Sequence, residues 1–269
     1  MESAGKPAVS DWLGGGRHHR HTVGSGRVEA GPTGLRLVRG ACPGLVYSNA
    51  QLDDYQGLPR RRFPWRPPVS LTVRARFSHS HSELKGTAGF GFWNDPFWMT
   101  GRRWPALPQA IWFFFSSPPS NMALAAGVPG HGWKAATIDA SRWPFLLLLP
   151  TAPLALPLMR WPWLYRRLWP VGQAAMGVCE ALVPTAMTDW HTYRIVWEKG
   201  RARFWVDETL ILACATAPRG PAGLVIWLDN QYMVVTPQGR FAHGLVGCDR
   251  EQWLEIAAVT VSRGSDSFV

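Results

Sequence analysis

From Leu35 onward the chain consists of short apolar runs, each ended by proline, glycine or asparagine, and no run keeps a helical period. Such punctuation argues against long packed helices and leaves strands as the means of building a core. Residues 69–77, 88–93, 110–115, 192–197, 202–206, 224–228 and 255–261 read as strands, most of them rich in β-branched or aromatic residues. Alternation assigns the faces: Tyr193, Ile195 and Trp197 share one side of a strand, and Thr192, Arg194 and Val196 the other. Many short strands with turn signals between them predict an all-β, antiparallel two-sheet sandwich. The 269 residues, 46% of them hydrophobic, suffice for a large core, and 16 Trp with 12 Phe exclude a disordered or collagen-like chain.

One segment departs from this pattern. Residues 143–159 carry no charge, and the continuation RWPWLYRRLWP sets Trp161, Trp163, Tyr165 and Trp169 among Arg160, Arg166 and Arg167. A helix that crosses a membrane needs about 20 apolar residues. The uncharged run has 17, and Pro144, Pro150, Pro153 and Pro157 each interrupt a helical ladder. The spacing therefore predicts an insertion at about 142–187 between two strands, not a span. Aromatic rings with a polar edge beside arginines suit the headgroup region of a bilayer, which makes Trp161, Trp163, Tyr165, Arg166, Arg167 and Trp169 candidates for membrane contact. Two readings stand here. The insertion lies on a membrane or lids an apolar pocket, or it folds back as a second hydrophobic layer over the sheet, because large exposed apolar patches are rare on soluble monomers.

The charge balance is basic: 28 Lys and Arg against 18 Asp and Glu give +10, and only Lys6, Lys85, Lys134 and Lys199 are lysines. Such a surface favours anionic partners, an anionic membrane among them, although an arginine-rich composition gives the same sum with no partner. No nucleic acid is expected, since Arg60–Arg62 and Arg102 with Arg103 are short clusters in loops and no nucleic-acid motif appears. Residues 1–30 are polar, Gly-rich and basic, and read as a flexible arm; His18, His19 and His21 around Arg20 are either a metal cluster or a solvated part of it. Cys42, Cys179, Cys214 and Cys248 are far apart without a CxxC pair, so reduced thiols are expected and no metal or cofactor. The first 16 residues lack an apolar stretch of secretory type. The location this suggests is cytoplasmic, peripheral on the inner membrane face.

Four phrases in order carry a family resemblance. DWHTYRIVWEKGRARFWVDETLIL (189–212) resembles the strand–turn–strand of glycoside hydrolase family 16, the laminarinases, lichenases and relatives. SLTVRARFSHSHSELKGTAGFGFW (70–93), PAGLVIWL (221–228) and WLEIAAVTVSR (253–263) are similar to three further stretches of that family. The resemblance covers about residues 35–263. It implies a concanavalin A-like jelly roll, here a single domain over 31–269 interrupted by the insertion, with a ligand cleft across the concave sheet.

Members of that family cut β-glycosidic bonds with retention, using Glu-x-Asp-x-x-Glu or Glu-x-Asp-x-Glu on one cleft strand, where two carboxylates must stand about 5 Å apart. The matching strand follows Trp104 and Pro105, and the resemblance places Gln109 at the nucleophile, Ile111 at the central Asp and Phe113 or Phe114 at the acid/base. None of these ionises, so retaining hydrolysis is not expected. With Trp93, Gln109, Ile111, Trp112, Phe113, Phe114 and Asn230 as its candidate lining, the cleft suits an apolar or amphiphilic small molecule, held at a membrane surface. Asp95, Asp229, Tyr232 and His131 are the candidates for acid/base chemistry on such a ligand. Each also has a plainer reading: a turn residue for Asn94, Asp95, Asp229 and Asn230, and an exposed loop residue for His131. The alternative function is binding or hydrolysis of carbohydrate, which rests on the resemblance alone.

Overall fold

The protein is described from a computed structural model, over residues 9–15, 18–42, 46–96 and 104–264. Two antiparallel sheets face each other. The first has eight strands, in the order β13 (Thr209–Cys214), β12 (Arg201–Val206), β11 (His191–Glu198), β6 (Val69–Phe77), β17 (Gln252–Arg263), β4 (Leu35–Arg39) and β3 (Gly26–Ala30), with β1 (Val9–Asp11) also on β17. The second has seven, in the order β10 (Cys179–Leu182), β9 (Gly132–Asp139), β8 (Gln109–Ser116), β7 (Thr87–Trp93), β14 (Gly223–Asp229), β5 (Asn49–Asp53) and β2 (His19–Val23). A separate hairpin joins β15 (Gln231–Val235) to β16 (Phe241–Leu245). This is the expected all-β jelly-roll sandwich, and every strand read from the sequence is present.

Between the sheets lies one aromatic core. Tyr193, Ile195 and Trp197 of β11 point inward, as alternation requires, and meet the inward residues of the second sheet. Phe113 stands edge-on to Tyr193 at 5.1 Å and to Phe204 at 5.5 Å, while Phe92 tilts against Trp197 at 5.4 Å. Each such pair adds roughly 0.5–1.5 kcal/mol beyond the area it buries.

The far side of the eight-stranded sheet accounts for much of the arginine content. Arg36 and Arg76 lie over the Trp253 ring at 4.2 and 5.4 Å, and Arg194 and Arg203 over Trp205 at 5.1 and 5.3 Å. Burial alone would raise the Glu255 carboxyl, but hydrogen bonds from Arg76, Arg36 and Thr33 hold it below its ordinary value.

Three expectations need correction. The described part of the supposed N-terminal arm is built into the sandwich: β2 pairs with β5 and β3 with β4, because the edge strands offer unpaired backbone groups that a polar strand satisfies as well as an apolar one. Residues 1–8, 16 and 17 lie outside the described residues, as do Arg102 and Arg103. The insertion is helical, with α1 (Trp143–Leu148), a 3-10 turn (Leu149–Thr151), α2 (Ala152–Leu158) and α3 (Pro162–Met176). Pro144, Pro153 and Pro162 occupy first turns, where a missing N–H costs nothing; only Pro157 and Pro170 are interior. Finally, Cys179 and Cys214 are not reduced but joined in a disulfide, with Cα atoms 6.0 Å apart. It ties β10 at the edge of one sheet to β13 at the edge of the other. Cys42 and Cys248 are free and buried.

Candidate functional site

The outer face of the seven-stranded sheet carries a second, smaller apolar cluster. The phase of β8 decides its composition. Ile111, Phe113 and Phe115 point into the core between the sheets, so Ala110, Trp112 and Phe114 point outward. This corrects the sequence-based alignment, which put Ile111 and Phe113 in the cleft. The physical reason lies on β7, where Gly91 pairs with Trp112 and Gly89 with Phe114. A Cβ at Gly91 would come within 2.6 Å of the Trp112 Cβ, and one at Gly89 within 2.8 Å of the Trp227 ring. Two glycines thus clear the outer face for large rings, while Phe90 and Phe92 fill the inner one.

Trp112 is the hub of the cluster. Its ring lies 5.1 Å from Phe114, 5.4 Å from Trp227 and 5.9 Å from Trp93. Trp227 and Trp93 are nearly covered, whereas Trp112 and Phe114 are half-buried and present ring surface to solvent. Tyr55 and Gln51 border the patch: the Trp93 indole donates to the Tyr55 hydroxyl at 2.7 Å, and the Gln51 amide donates to Asp53 at 3.0 Å. On the other side Lys134, opposite Phe114, is buried and paired with Glu180 at 3.2 Å. Burial raises the Glu180 carboxyl, with Lys134 opposing.

One row further along the strands this face turns polar, and its side chains are buried. The register sets Asn49, Asp229, Thr87 and Ser116 side by side on successive strands. The Trp227 indole donates to the Thr87 hydroxyl at 2.9 Å, and that hydroxyl donates to Asp229 at 2.8 Å. Burial pushes the Asp229 carboxyl up to about 6, against hydrogen bonds from Gln231 and Thr87. Both amide atoms of Asn49, the Ser116 hydroxyl and the nearby Tyr47 hydroxyl are buried without a protein partner. Burial, with Asp229 adding to it, also pushes the Tyr47 phenol up. Buried polar atoms need partners. Asn49 and Ser116 are fully covered, so enclosed water is the partner that would complete this strip.

The remaining sequence candidates separate into scaffold and surface. Gln109 spends its amide on Asp139 at 3.0 Å and Ser141 at 2.6 Å, beside a gap that leaves no room for a water-sized molecule. Asn230 is a latch: its side chain accepts from the Ser48 N–H at 2.9 Å and donates to the Val46 carbonyl at 2.9 Å. Asp95 is a fully buried turn residue at φ 46°, and Arg60 holds the carbonyls of Asn94 and Asp95. Tyr232 lies across Gly244 in the β15–β16 hairpin, and His131 is exposed in its loop. Of the four acid/base candidates only Asp229 borders the aromatic patch. The sequence reading missed Asn49, Tyr47, Ser116 and Trp227; the Gly-x-Gly-x-Trp alternation at 89–93 was the available signal, since paired glycines mark where large rings cross a strand.

Among the described residues this face brings no two carboxylates together as a glycosidase does. Asp229 stands opposite Asn49, four residues out of step with Asp53, which separates the two by about 13 Å along the strands. Glu180 lies five strands away from Asp53, about 24 Å. Neither distance matches the ~5 Å of a retaining or the ~6.5–9.5 Å of an inverting mechanism. His19 and His21 share a face of β2, and among the described residues no group of three or more His, Cys, Asp or Glu is placed to hold a metal.

No protein-family model matches the sequence, and neither does any curated protein. Solved structures do. A Crh5 transglycosylase in complex with NAG matches with a TM-score of 0.51 at 12% identity, over 97% of this chain and 86% of that one. A glycoside hydrolase family 16 endo-glucanase from Bacteroides ovatus matches with a TM-score of 0.51 at 12% identity, over 94% of this chain and 99% of that one. Likeness at this identity establishes the fold alone: a concanavalin A-like jelly roll.

Proposed function

We propose that this jelly roll binds an amphiphilic small molecule on the outer face of its seven-stranded sheet and does not cut glycosidic bonds. The observation that carries the reading is the pair of half-buried rings Trp112 and Phe114, stacked 5.1 Å apart and open to solvent above the covered rings of Trp93 and Trp227. An apolar ring or chain lies on this pair, and its polar end stays in water. The absence of a close carboxylate pair on this face supports binding without hydrolysis. A plain saccharide is the second reading, favoured by the four clustered aromatic rings and by the fold shared with the two carbohydrate-active proteins above. The disulfide supports residence in an oxidising compartment, since cytosolic thiols are kept reduced.

Tryptophan fluorescence distinguishes the two ligands. Dodecyl maltoside below its micellar concentration is expected to bind and maltose not, with Trp112→Ala weakening the former by about tenfold, the loss of one aromatic contact of roughly 1.4 kcal/mol. Equal binding of maltose establishes the saccharide reading instead. Release of reducing sugar from laminarin or lichenan overturns both.

A further inference from the structure

We infer that the helical insertion is a docking surface for anionic phospholipid, on which the protein rests without crossing. The argument starts from exposure. Along α1, the 3-10 turn and α2, Trp143 is 70% exposed, Leu147 66% and Leu154 71%, with Leu146 and Leu149 between them also on the surface. This stretch carries no charge at all. The turn at Gly239 in the β15–β16 hairpin packs against Leu156, which brings the exposed Phe241 to the same end of the molecule. So many large apolar side chains exposed on one short segment mark an interaction site.

α3 supplies the cationic border. At 3.6 residues per turn Trp163, Arg166, Arg167, Pro170 and Val171 fall on one exposed face, with Arg160 and Trp161 just before it. The opposite face is fixed to the protein: Trp169 is buried and its indole donates to the Leu124 carbonyl at 2.8 Å. Trp169 is therefore removed from the membrane-contact candidates, and half-buried Tyr165 is a marginal member. An uncharged leucine-rich tip flanked by tryptophans and arginines has the layering of the bilayer interface, where acyl chains give way to headgroups.

Charge selects the occupant. Between Arg142 and Glu180 the chain contains no Asp or Glu. A second copy docking through this face about a twofold axis would bring arginines against arginines with no acidic group in the segment to pair them. Anionic headgroups supply that missing charge. No described helix is long and apolar enough to cross a membrane, so the helices lie along the surface.

Sedimentation with sucrose-loaded vesicles of phosphatidylcholine containing roughly 30% phosphatidylserine tests this in the full chain. Binding is expected at low salt and is expected to weaken as salt rises. Arg166→Gln with Arg167→Gln is expected to reduce it about 30-fold, from about 1 kcal/mol for each arginine near the surface. Leu147→Asp with Leu154→Asp is expected to abolish it with an unchanged melting temperature, since both leucines are exposed. No binding at low salt overturns the proposal, as does binding indifferent to both double variants. A dimer that the Leu147→Asp, Leu154→Asp variant dissociates, in protein that ignores vesicles, identifies the face as a protein interface and also overturns it. The vesicles carry no sugar, and Trp112→Ala is expected to bind them normally, so failure here is separable from failure of the ligand reading.

Discussion

Asp54 offers the sharpest test of the electrostatics of this sandwich. Its carboxylate sits at the end of β5, where it accepts the Trp65 indole N–H at 2.5 Å, the Leu224 backbone N–H at 2.9 Å and the Trp12 indole N–H at 3.3 Å. Burial pushes its pKa up to about 7 from an ordinary 3.8, despite those donors. The native state therefore keeps the proton over a range in which the unfolded chain has released it. Stability is largest below the unfolded value and falls as pH rises through the folded one. Between about pH 5.5 and about pH 8.5 this one group removes about 2 kcal/mol, and Asp229, with a folded value near 6, removes about 1 kcal/mol more. Asp54→Asn abolishes the titration. It turns an amide N–H₂ toward one of the buried donors, so the variant is less stable at every pH by about 1–3 kcal/mol, yet its loss between those two pH values shrinks to about 1 kcal/mol. Urea unfolding followed by tryptophan fluorescence, with the slope checked for constancy, reads both quantities. An Asn variant that loses as much stability with rising pH as the parent would refute the assignment of the slope to Asp54.

Gly91→Ala places a Cβ within 2.4 Å of the Ile111 carbonyl and within 2.6 Å of Trp112, so a loss of about 2–4 kcal/mol and a shifted tryptophan emission are expected in thermal melts. Replacing Cys179 and Cys214 together by alanine opens a link across 35 residues and is expected to lower stability by about 4 kcal/mol, measured against the oxidised parent in urea. Alkylation of the unreduced, denatured chain is expected to label Cys42 and Cys248 alone, as mass spectrometry will show. Glu180→Gln leaves the Lys134 ammonium buried and unpaired, at a cost of about 3–5 kcal/mol that Lys134→Met, Glu180→Leu should largely restore.

The strands that were legible in the sequence are those whose β-branched and aromatic residues leave no other reading, such as Val69–Phe77, which the structure reproduces end to end. Gly132–Asp139 escaped notice because GWKAATID is alanine-rich and carries a lysine whose ion pair is formed only by the neighbouring strand. The parity of β8 was not legible for a related reason. QAIWFFFS is apolar at nearly every position, as a strand buried on both faces must be, and alternation then carries no signal. Only the glycines of the adjacent strand reveal which rings face outward. In the insertion, proline was read as a breaker when most of its prolines begin helices, a distinction that depends on where the first turn falls. Of the candidate site, Trp93, Trp112, Phe114 and Asp229 were named from sequence, while the Asn49 strip depends on strand register and could be seen only once the sheet was assembled.

The Cys179–Cys214 link closes the chain three residues beyond the last turn of α3, at the edge where β10 and β13 bring the two sheets together. A pull on the helices is therefore shared by the two layers at once, and they cannot peel from the sandwich one strand at a time. The helices form a fluke whose shank is welded to the hull, with Trp169 and Gln173 as further rivets into the loop at Leu124 and Ala126, so cutting the weld loosens the joint between the layers and leaves the fluke seated.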